Sequence, residues 1–589
     1  MRNFTVMAEI SIGARGAPPV SRDLSGLHAM RERLLHGPLS PRLGTLLIAL
    51  WLTGVANLML WTTLHKLAGL GELGRDPLIL GLVVGVIVFG ATATLLSLFA
   101  WRWLFKPAML AFLLIAGAVQ HFMMAYGIVV DPSMAANALQ TNATEARDLM
   151  GPGLIGQLLL VAGPPAFWLR KLRLGTGPAW GTLWRNAVCT VLLTALTLGA
   201  VMSVYRELAP LVRNHLELRF YANPLAPVTS VLSAVTKRWR KGRMGPLVTM
   251  TAGAALGPSY AAAAAQAGSR PPLFLLVVGE TARSDHFGLN GYARDTTPAL
   301  AARDVISFTD VRSCGTNTLH SVPCMFSPLG KSGWEGRKAE TENLLDVLQA
   351  AGLAVLWLDN QAGCKGVCDR VPNASTEHAF APAADAASAL CTDGECLDRV
   401  MLAGLDERIA ALPAERRARG TVVVMHMMGS HGPAYWRRSA PDTKRFQPEC
   451  ATQALAQCDH EALINVYDNS IAETDRFLAA SIDWLKARDN RFAPGMLYLS
   501  DHGESLGEYG MFLHGVPYAI APEVQKKVPM VLWMDPHLAA RGRIDEGCLR
   551  QRRAAVLSHD NLYPTVLGVM DVVSPTYKPA LDAFAPCRG

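Results

Sequence analysis

Hydrophobic residues are distributed in two different ways along the chain. Before position 210 they form long runs, at 43–64, 78–100, 108–129, 154–167 with its flanks, and 187–205. Most approach or exceed the ~20 apolar residues that carry a helix across a bilayer. The set predicts five membrane-spanning helices rather than buried soluble ones. Pro164 and Pro165 interrupt the fourth run. It still counts as a span, because neighbouring helices can satisfy the backbone groups that a proline frees. From 273 onward the runs shorten to strand length, at 273–278, 354–358, 421–426, 496–500 and 529–533, and helical patterns fall at 342–351, 397–411, 461–486 and 559–568. Continuous apolar strands separated by helices predict a parallel sheet covered on both faces. The stretch between the two regions mixes apolar and basic residues, as in RNHLELRFYANPLAP and SVLSAVTKRWRKGRMG. It reads as amphipathic helices on a membrane surface or as a solvated linker, with AAAAAQAGSRPP at 261–272 as a joint. The expected organisation is an N-terminal segment (1–42), a five-helix membrane domain (43–205), a bridge (206–270) and an α/β domain (271–589).

Composition agrees with this division. The 589 residues allow more than one domain. They are 50% hydrophobic and only 17% charged, below the ~25% of ordinary soluble proteins. This excludes a disordered, collagen-like or coiled-coil chain and argues against a wholly soluble enzyme. A net charge of +7 suggests nucleic acid only until the charges are mapped. Arg2, Arg15, Arg22, Arg31, Arg33 and Arg42 precede the first span, Arg102 and Lys106 follow the second, and Arg170, Lys171, Arg173 and Arg185 follow the fourth. That bias predicts a cytoplasmic N-terminus and an extracytoplasmic segment after Tyr205, so no nucleic-acid partner is needed. With no short apolar core and cleavage site at the N-terminus, the first span is expected to be an uncleaved anchor. Of 11 cysteines, only Cys189 precedes residue 300. The rest suggest five pairs: Cys314/Cys324, Cys364/Cys368, Cys391/Cys396, Cys450/Cys458 and Cys548/Cys587. Outside the cytoplasm they read as disulfides. The Cys364/Cys368 spacing lacks the second pair that a zinc finger requires.

Open α/β sheets bind ligands beyond the carboxyl ends of their strands, and the polar residues lie there. Glu280 follows the first predicted strand, His426 and His431 lie at and beyond the third, and Asp501 and His502 follow the fourth. Glu280, His431, Asp501, His502 and His514 make a mixed carboxylate and imidazole set suited to zinc. The run SDHGESLGE at 500–508 is the densest part. CGTNTLHSVPC at 314–324 offers hydroxyls at Thr316, Thr318 and Ser321 between two cysteines. If a helix starts near Thr318, its free N–H groups favour a phosphate there, and a metal at the hydroxyl would make it a nucleophile. On these grounds the three hydroxyls compete.

At these residues the chain resembles the lipid A phosphoethanolamine transferases, the family that includes the mobile colistin-resistance enzymes. VVGETARSDHFGLNGYARDTTP at 277–298 looks like the family's first metal motif, SCGTNTLHSVPCMFS like its nucleophile loop, and SDHGESLGEYGMFLHGVPYAIAP like its second metal motif. MGSHGPAYWRR and LDNQAGCKGVCDR also match. The resemblance implies an alkaline phosphatase/sulfatase fold for the α/β domain, Thr318 as nucleophile, and catalytic zinc held by Glu280, Thr318, Asp501 and His502. It implies that His431 and His514 lie near the substrate phosphate, as acid, base or ligands of a second zinc, and that Lys365 is a basic residue of the substrate pocket. It assigns Asn137, Thr141 and Glu145 to a segment that reaches the lipid headgroup. Gln361 departs from the family pattern, where relatives can have a smaller polar residue. The segment before Arg42 is longer than the family needs, which makes Met7 or Met30 an alternative start.

The implied activity is a ping-pong transfer of phosphoethanolamine from phosphatidylethanolamine to a lipid A phosphate through phospho-threonine. It would occur at a Gram-negative inner membrane, with the catalytic domain of a monomer in the periplasm, and would confer polymyxin resistance. Other acceptors (a core-sugar heptose, a glycan or a protein), a related phosphoglycerol transferase or hydrolase, and a non-catalytic membrane receptor are the competing expectations.

Overall fold

The computed structural model describes residues 38–589 apart from 71, 72, 74, 75, 142–145, 148, 176, 177, 242–244, 266, 267, 377–389, 393 and 394. Glu145, Met7 and Met30 lie outside the described residues. The first region is helical: α1 (Pro41–Val55), α2 (Leu58–Gly69), α3 (Pro77–Ser97), α4 (Phe105–Tyr126), α5 (Pro132–Ala138), α6 (Pro152–Lys171) and α7 (Ala179–Ser203). Among the described residues, four helices (α3, α4, α6 and α7) are long and apolar enough to cross a membrane, and α1 with α2 passes the same test as a bent pair, a broken span or a re-entrant loop. α6 runs unbroken through Pro164 and Pro165. α3 packs on α7 and on α1, and α4 packs on α6. Small residues allow close approach: a Cβ on Gly90 would stand 2.4 Å from Thr197 Oγ1.

The first span differs from the straight helix that its hydropathy predicts. It bends by 51° between α1 and α2. The break exposes backbone groups that hydrocarbon cannot satisfy, and buried amides take them up. Asn57 Nδ2–H donates to Leu52 O (2.8 Å) and to Asn223 O (2.7 Å), and Asn223 Nδ2–H donates to Ala56 O (3.0 Å) and Ala116 O (2.8 Å). Gln120 donates to Val55 O (2.8 Å) and accepts from Leu58 N (3.3 Å). Asn223 lies in the bridge, between α8 (Tyr205–Asn214) and α9 (Leu225–Lys241). α9 packs against α5 and α3.

The second region is built on an eight-stranded sheet of β1 (Pro272–Gly279), β2 (Ile306–Arg312), β3 (Ala354–Asp359), β4 (Asn373–Ser375), β5 (Thr421–His426), β6 (Ala493–Ser500), β7 (Lys527–Met534) and β8 (Leu557–Ser558), in the order β8-β2-β7-β6-β1-β5-β3-β4. Every residue of β1, β3, β5 and β6 is buried. Alternate side chains serve opposite cores: Phe274, Leu276 and Val278 join one, and Leu273, Leu275 and Val277 the other. The long helix α11 (His460–Lys486) packs on β6, with α10 (Thr318–Met325) at the site.

The expected all-parallel sheet is mixed. β7 runs antiparallel to both β6 and β2. The chain from 501 to 526 forms a motif loop at the carboxyl end of β6, without a long crossover helix. The next strand therefore starts at that end and runs back, which a parallel pair cannot do without a crossover. The predicted helix over 397–411 is two short pieces, Asp398–Leu402 and Leu405–Ala410, parted by Gly404 in a left-handed conformation (φ 65°).

Candidate active site

The parallel register brings the site together. Ser500 pairs with Gly279 and His426 with Val278, so Glu280 and Asp501, one residue beyond β1 and β6, leave the sheet side by side. The loop after β1 is pinned there. Thr281 N–H donates to Asp501 Oδ1 (3.2 Å), Ala282 N–H to Ser500 Oγ (2.9 Å), and Tyr467 O–H on α11 to Thr281 O (2.7 Å). In the second motif, a Cβ at Gly503 would lie 1.9 Å from Val524 O, so only glycine lets the chain pass.

Thr318 is the first residue of α10, whose N-cap Asn317 accepts from His320 N (3.0 Å). Thr318 Oγ–H donates to Glu280 Oε2 (3.0 Å), and its oxygen is 3.4 Å from His502 Nε2. The other two hydroxyls point elsewhere: Thr316 donates to Val516 O and Ser321 to Asp501 O. The helix start directs backbone N–H groups and positive potential at the threonine, which favours an anion.

Glu280, Asp501 and His502 are buried, with one donor atom from each within 4.8 Å of the others. His502 Nε2 is 3.4 Å from Glu280 Oε1 and 3.3 Å from Asp501 Oδ2. Its Nδ1 faces Gly503 O at 2.9 Å, so the ring proton belongs on Nδ1 and the Nε2 lone pair faces the carboxylates. Burial pushes the ring's pKa down to about 4, so it is neutral at pH 7. Asp501 Oδ2 makes no hydrogen bond among the described residues. Carboxyl oxygens of Glu280 and Asp501 and the imidazole lone pair of His502 converge on one point, an arrangement suited to a cation. The donor set fits zinc. A second buried group, Glu280, His431 and His514, meets the same 4.8 Å limit. His514 Nδ1 lies 3.4 Å from Glu504, whose carboxyl burial pushes up to about 8.

The other sequence candidates lie around this centre. Lys365 stands in the Cys364–Cys368 loop, with Nζ donating to Ala362 O (2.6 Å). It lines a cavity of about 1090 Å³ beside the threonine helix, walled by Ser133 and Ala136 of α5, Ala234 and Val235 of α9, and Leu319, Trp334 and Arg337 of the catalytic domain. Asn137 is on α5, and Thr141 Oγ–H donates to Asn137 O (3.1 Å). The α5 segment touches the site through Ser133 Oγ, which accepts from Asn317 Nδ2 (2.9 Å). All five cysteine pairs are disulfides, and Cys189 is free.

Two supporting residues escaped the sequence reading. Gln361, noted there only as a departure, donates Nε2–H to Glu280 Oε2 (3.3 Å). His559 is buried behind the loop that carries Thr318. Its Nδ1 accepts from Cys314 N (3.0 Å), and its Nε2 lies 3.0 Å from Ser500 O. The Cys314 donor fixes the tautomer, Nδ1 bare and Nε2 protonated. Burial pushes its pKa down to about 3. Its one local signal is its place just after the N-capping Ser558.

Known proteins carry the same architecture. A family profile described as Sulfatase matches residues 272–572, and one described as Phosphoethanolamine transferase EptA/EptB matches 88–239. Phosphoethanolamine transferase EptA of Salmonella typhimurium is 39% identical over 511 residues, 85% of this chain and 89% of the relative. Phosphatidylethanolamine transferase Mcr-1 of Escherichia coli is 37% identical over 543 residues, 90% and 95% respectively. The integral membrane lipooligosaccharide phosphoethanolamine transferase A (EptA) of Neisseria meningitidis superposes with a TM-score of 0.84 at 33% identity, covering 92% of this chain and 98% of that one. Matched in both its membrane helices and its sulfatase-like catalytic domain, the chain belongs to the EptA-type phosphoethanolamine transferases.

Proposed function

We propose that the enzyme moves phosphoethanolamine from phosphatidylethanolamine to a phosphate of lipid A, in two steps through phospho-Thr318. The carrying observation is the Thr318 hydroxyl, held between Glu280 Oε2 and His502 Nε2 at a helix start. The same helix borders a cavity shared with the membrane domain, as two lipid substrates require. Relatives named for this transfer match most of the chain.

In the first step Thr318 Oγ bonds to the donor phosphorus, the bond to the diacylglycerol oxygen breaks, and the hydroxyl proton leaves toward Glu280 Oε2. In the second, a lipid A phosphate oxygen attacks the phospho-threonine and the bond to Oγ breaks. His431 and His514 give and take the proton of the leaving and attacking oxygens. The start of α10 and Lys365 balance charge on the phosphoryl oxygens. Glu280, Asp501 and His502, with Thr318 as fourth ligand, would hold a zinc ion that lowers the hydroxyl's pKa and offsets developing negative charge. As the alternative to that proton exchange, His431 and His514 would join Glu280 in holding a second ion. Asn137, Thr141 and Glu145 are assigned to the headgroup contact, because their segment carries Ser133 to the nucleophile's cap.

The division into segment 1–42, membrane domain 43–205, bridge 206–270 and catalytic domain 271–589 belongs to this reading, as do the inner membrane, the periplasmic site and the monomer. Masking lipid A phosphates with an ammonium group would weaken binding of polymyxin and other cationic peptides. The test is mass analysis of lipid A from cells expressing the wild type or Thr318→Ala. The wild type is expected to add one phosphoethanolamine and the variant none, with no phospho-threonine formed. Addition by the variant refutes the nucleophile, and unmodified lipid A with active wild type points to another acceptor.

A further inference from the structure

The end of the helix bundle away from the catalytic domain holds a second, separate cavity. Tyr126 at the end of α4 donates its O–H to Gln453 O of the catalytic domain (3.2 Å), so the start of α4 marks the remote end. Gly44 of α1 packs there against Phe105, and Asn186 of α7 donates to Ala100 O (3.0 Å). Between α1 and α7 opens a cavity of about 500 Å³, with Arg42 and Arg185 at this end and Val188, Leu192 and Leu196 continuing along α7.

Three features of the groove specify an occupant. The first is charge. The remote end carries Arg42, Arg102, Lys106, Arg170, Lys171, Arg173 and Arg185, and no Asp or Glu occurs within 38–47, 98–107 or 169–187. The second is an unmet donor. Arg42 Nη1 is buried without a hydrogen-bond partner among the described residues, while Arg185 gives its Nε–H to Gly181 O (2.9 Å). A buried guanidinium N–H without a partner at a membrane is costly, and a phosphodiester oxygen answers it with charge-assisted hydrogen bonds. The third is length. The eleven rises from Arg185 to Leu196 span about 17 Å at about 1.5 Å each, close to half of the ~30 Å hydrocarbon core. That is the reach of one leaflet's acyl chain.

We propose that this groove binds an anionic glycerophospholipid of the leaflet remote from the catalytic domain, with its phosphate between Arg42 and Arg185 and an acyl chain along α7. A zwitterionic lipid would bring an ammonium to a surface whose described segments 38–47, 98–107 and 169–187 offer no carboxylate to receive it. The site is therefore distinct from the donor site in charge preference as well as in place. Basic pockets between helices on one side of a membrane bind anionic headgroups by this chemistry. The inference does not depend on the transfer reaction.

Cys189 lines the groove and is the free cysteine of the described chain, so it reports occupancy. The purified full chain, kept oxidised in detergent, is treated with N-ethylmaleimide with added dioleoyl-phosphatidylglycerol or dioleoyl-phosphatidylcholine. At phosphatidylglycerol about ten times its dissociation constant, labelling is expected to slow about tenfold by mass action, with little effect of phosphatidylcholine. Arg42→Gln/Arg185→Gln should lose the difference and Arg42→Lys/Arg185→Lys should keep part of it. Transfer activity serves as the folding control, since neither arginine belongs to the catalytic machinery. Equal protection by the two lipids in the wild type overturns the proposal, even if the glutamine variant does not fold. So does full phosphatidylglycerol protection in a folded glutamine variant.

Discussion

At the scale of single residues, the site depends on where lone pairs and protons sit. Asp501 Oδ1 is occupied by backbone N–H groups while Oδ2 faces His502, so Oδ2 is the Asp501 oxygen left for a metal ion. Asp501→Asn is expected to lower zinc affinity by more than the ~10–100-fold that follows loss of a mere supporting partner, measured by competition with a zinc chelator. His559 has the opposite character: it must stay uncharged. Its folded pKa of about 3 lies below the ordinary 6.5. Its contribution is therefore complete above 6.5 and is lost as pH falls from there toward 3. Between pH 7 and pH 5 it should cost the folded enzyme about 2 kcal/mol, seen as a fall in Tm. That slope should be smaller in His559→Gln. Glu280, Asp501 and His502 were legible because each follows an apolar strand by one or two positions, where open sheets place their chemistry. His559 was not, because its partners are backbone groups of Cys314 and Ser500, and folding alone brings them to it.

At the scale of elements, continuity of hydrophobic sequence concealed two features. A run of apolar residues cannot tell a straight span from a broken one, since the break at Asn57 is set by amides at Gln120 and Asn223. Asn223→Ala leaves the buried carbonyls of Ala56 and Ala116 without that donor. It is expected to destabilise the membrane domain by about 1–3 kcal/mol, read by thermal unfolding in detergent. Apolar strands likewise announce burial without direction, so β7 was legible as a strand and its antiparallel sense was not. The disulfides are ranked by the chain they enclose. Cys548–Cys587 joins residues 39 apart and Cys364–Cys368 residues 4 apart. Paired Cys→Ser replacement should cost about 4 kcal/mol for the first and about 2 kcal/mol for the second on loop-closure entropy, measured by denaturant unfolding of the full chain.

At the scale of the whole molecule, the two regions meet across small contacts. Gly127, at the end of α4, has φ 65°, and a Cβ there would lie 2.4 Å from Gly510 O of the catalytic domain. Gly127→Val should therefore disturb docking and leave Glu280, Asp501 and His502 in place. Lipid-to-lipid transfer is expected to fall at least tenfold in kcat/KM, a loss of about 1.4 kcal/mol of transition-state stabilisation. Bound zinc should be unchanged. A parallel loss of zinc would place the defect inside the catalytic domain instead. That the chain has a membrane part and a catalytic part was plain from hydropathy. How they touch was not, because a glycine at a helix end carries no sign of what it approaches.

Asn317 joins Tyr126 in bonding across that junction. Asn317 receives the His320 N–H of the threonine helix on its oxygen and gives its amide hydrogen to Ser133 of α5. A soluble fragment cut away from the bundle keeps the first bond and exchanges the second for water. Kinetic constants obtained with such a fragment would then describe a Thr318 whose cap is free to turn. An inhibitor optimised against the fragment would be selected against a looser target than the one the membrane presents, so potency should be ranked on the intact chain.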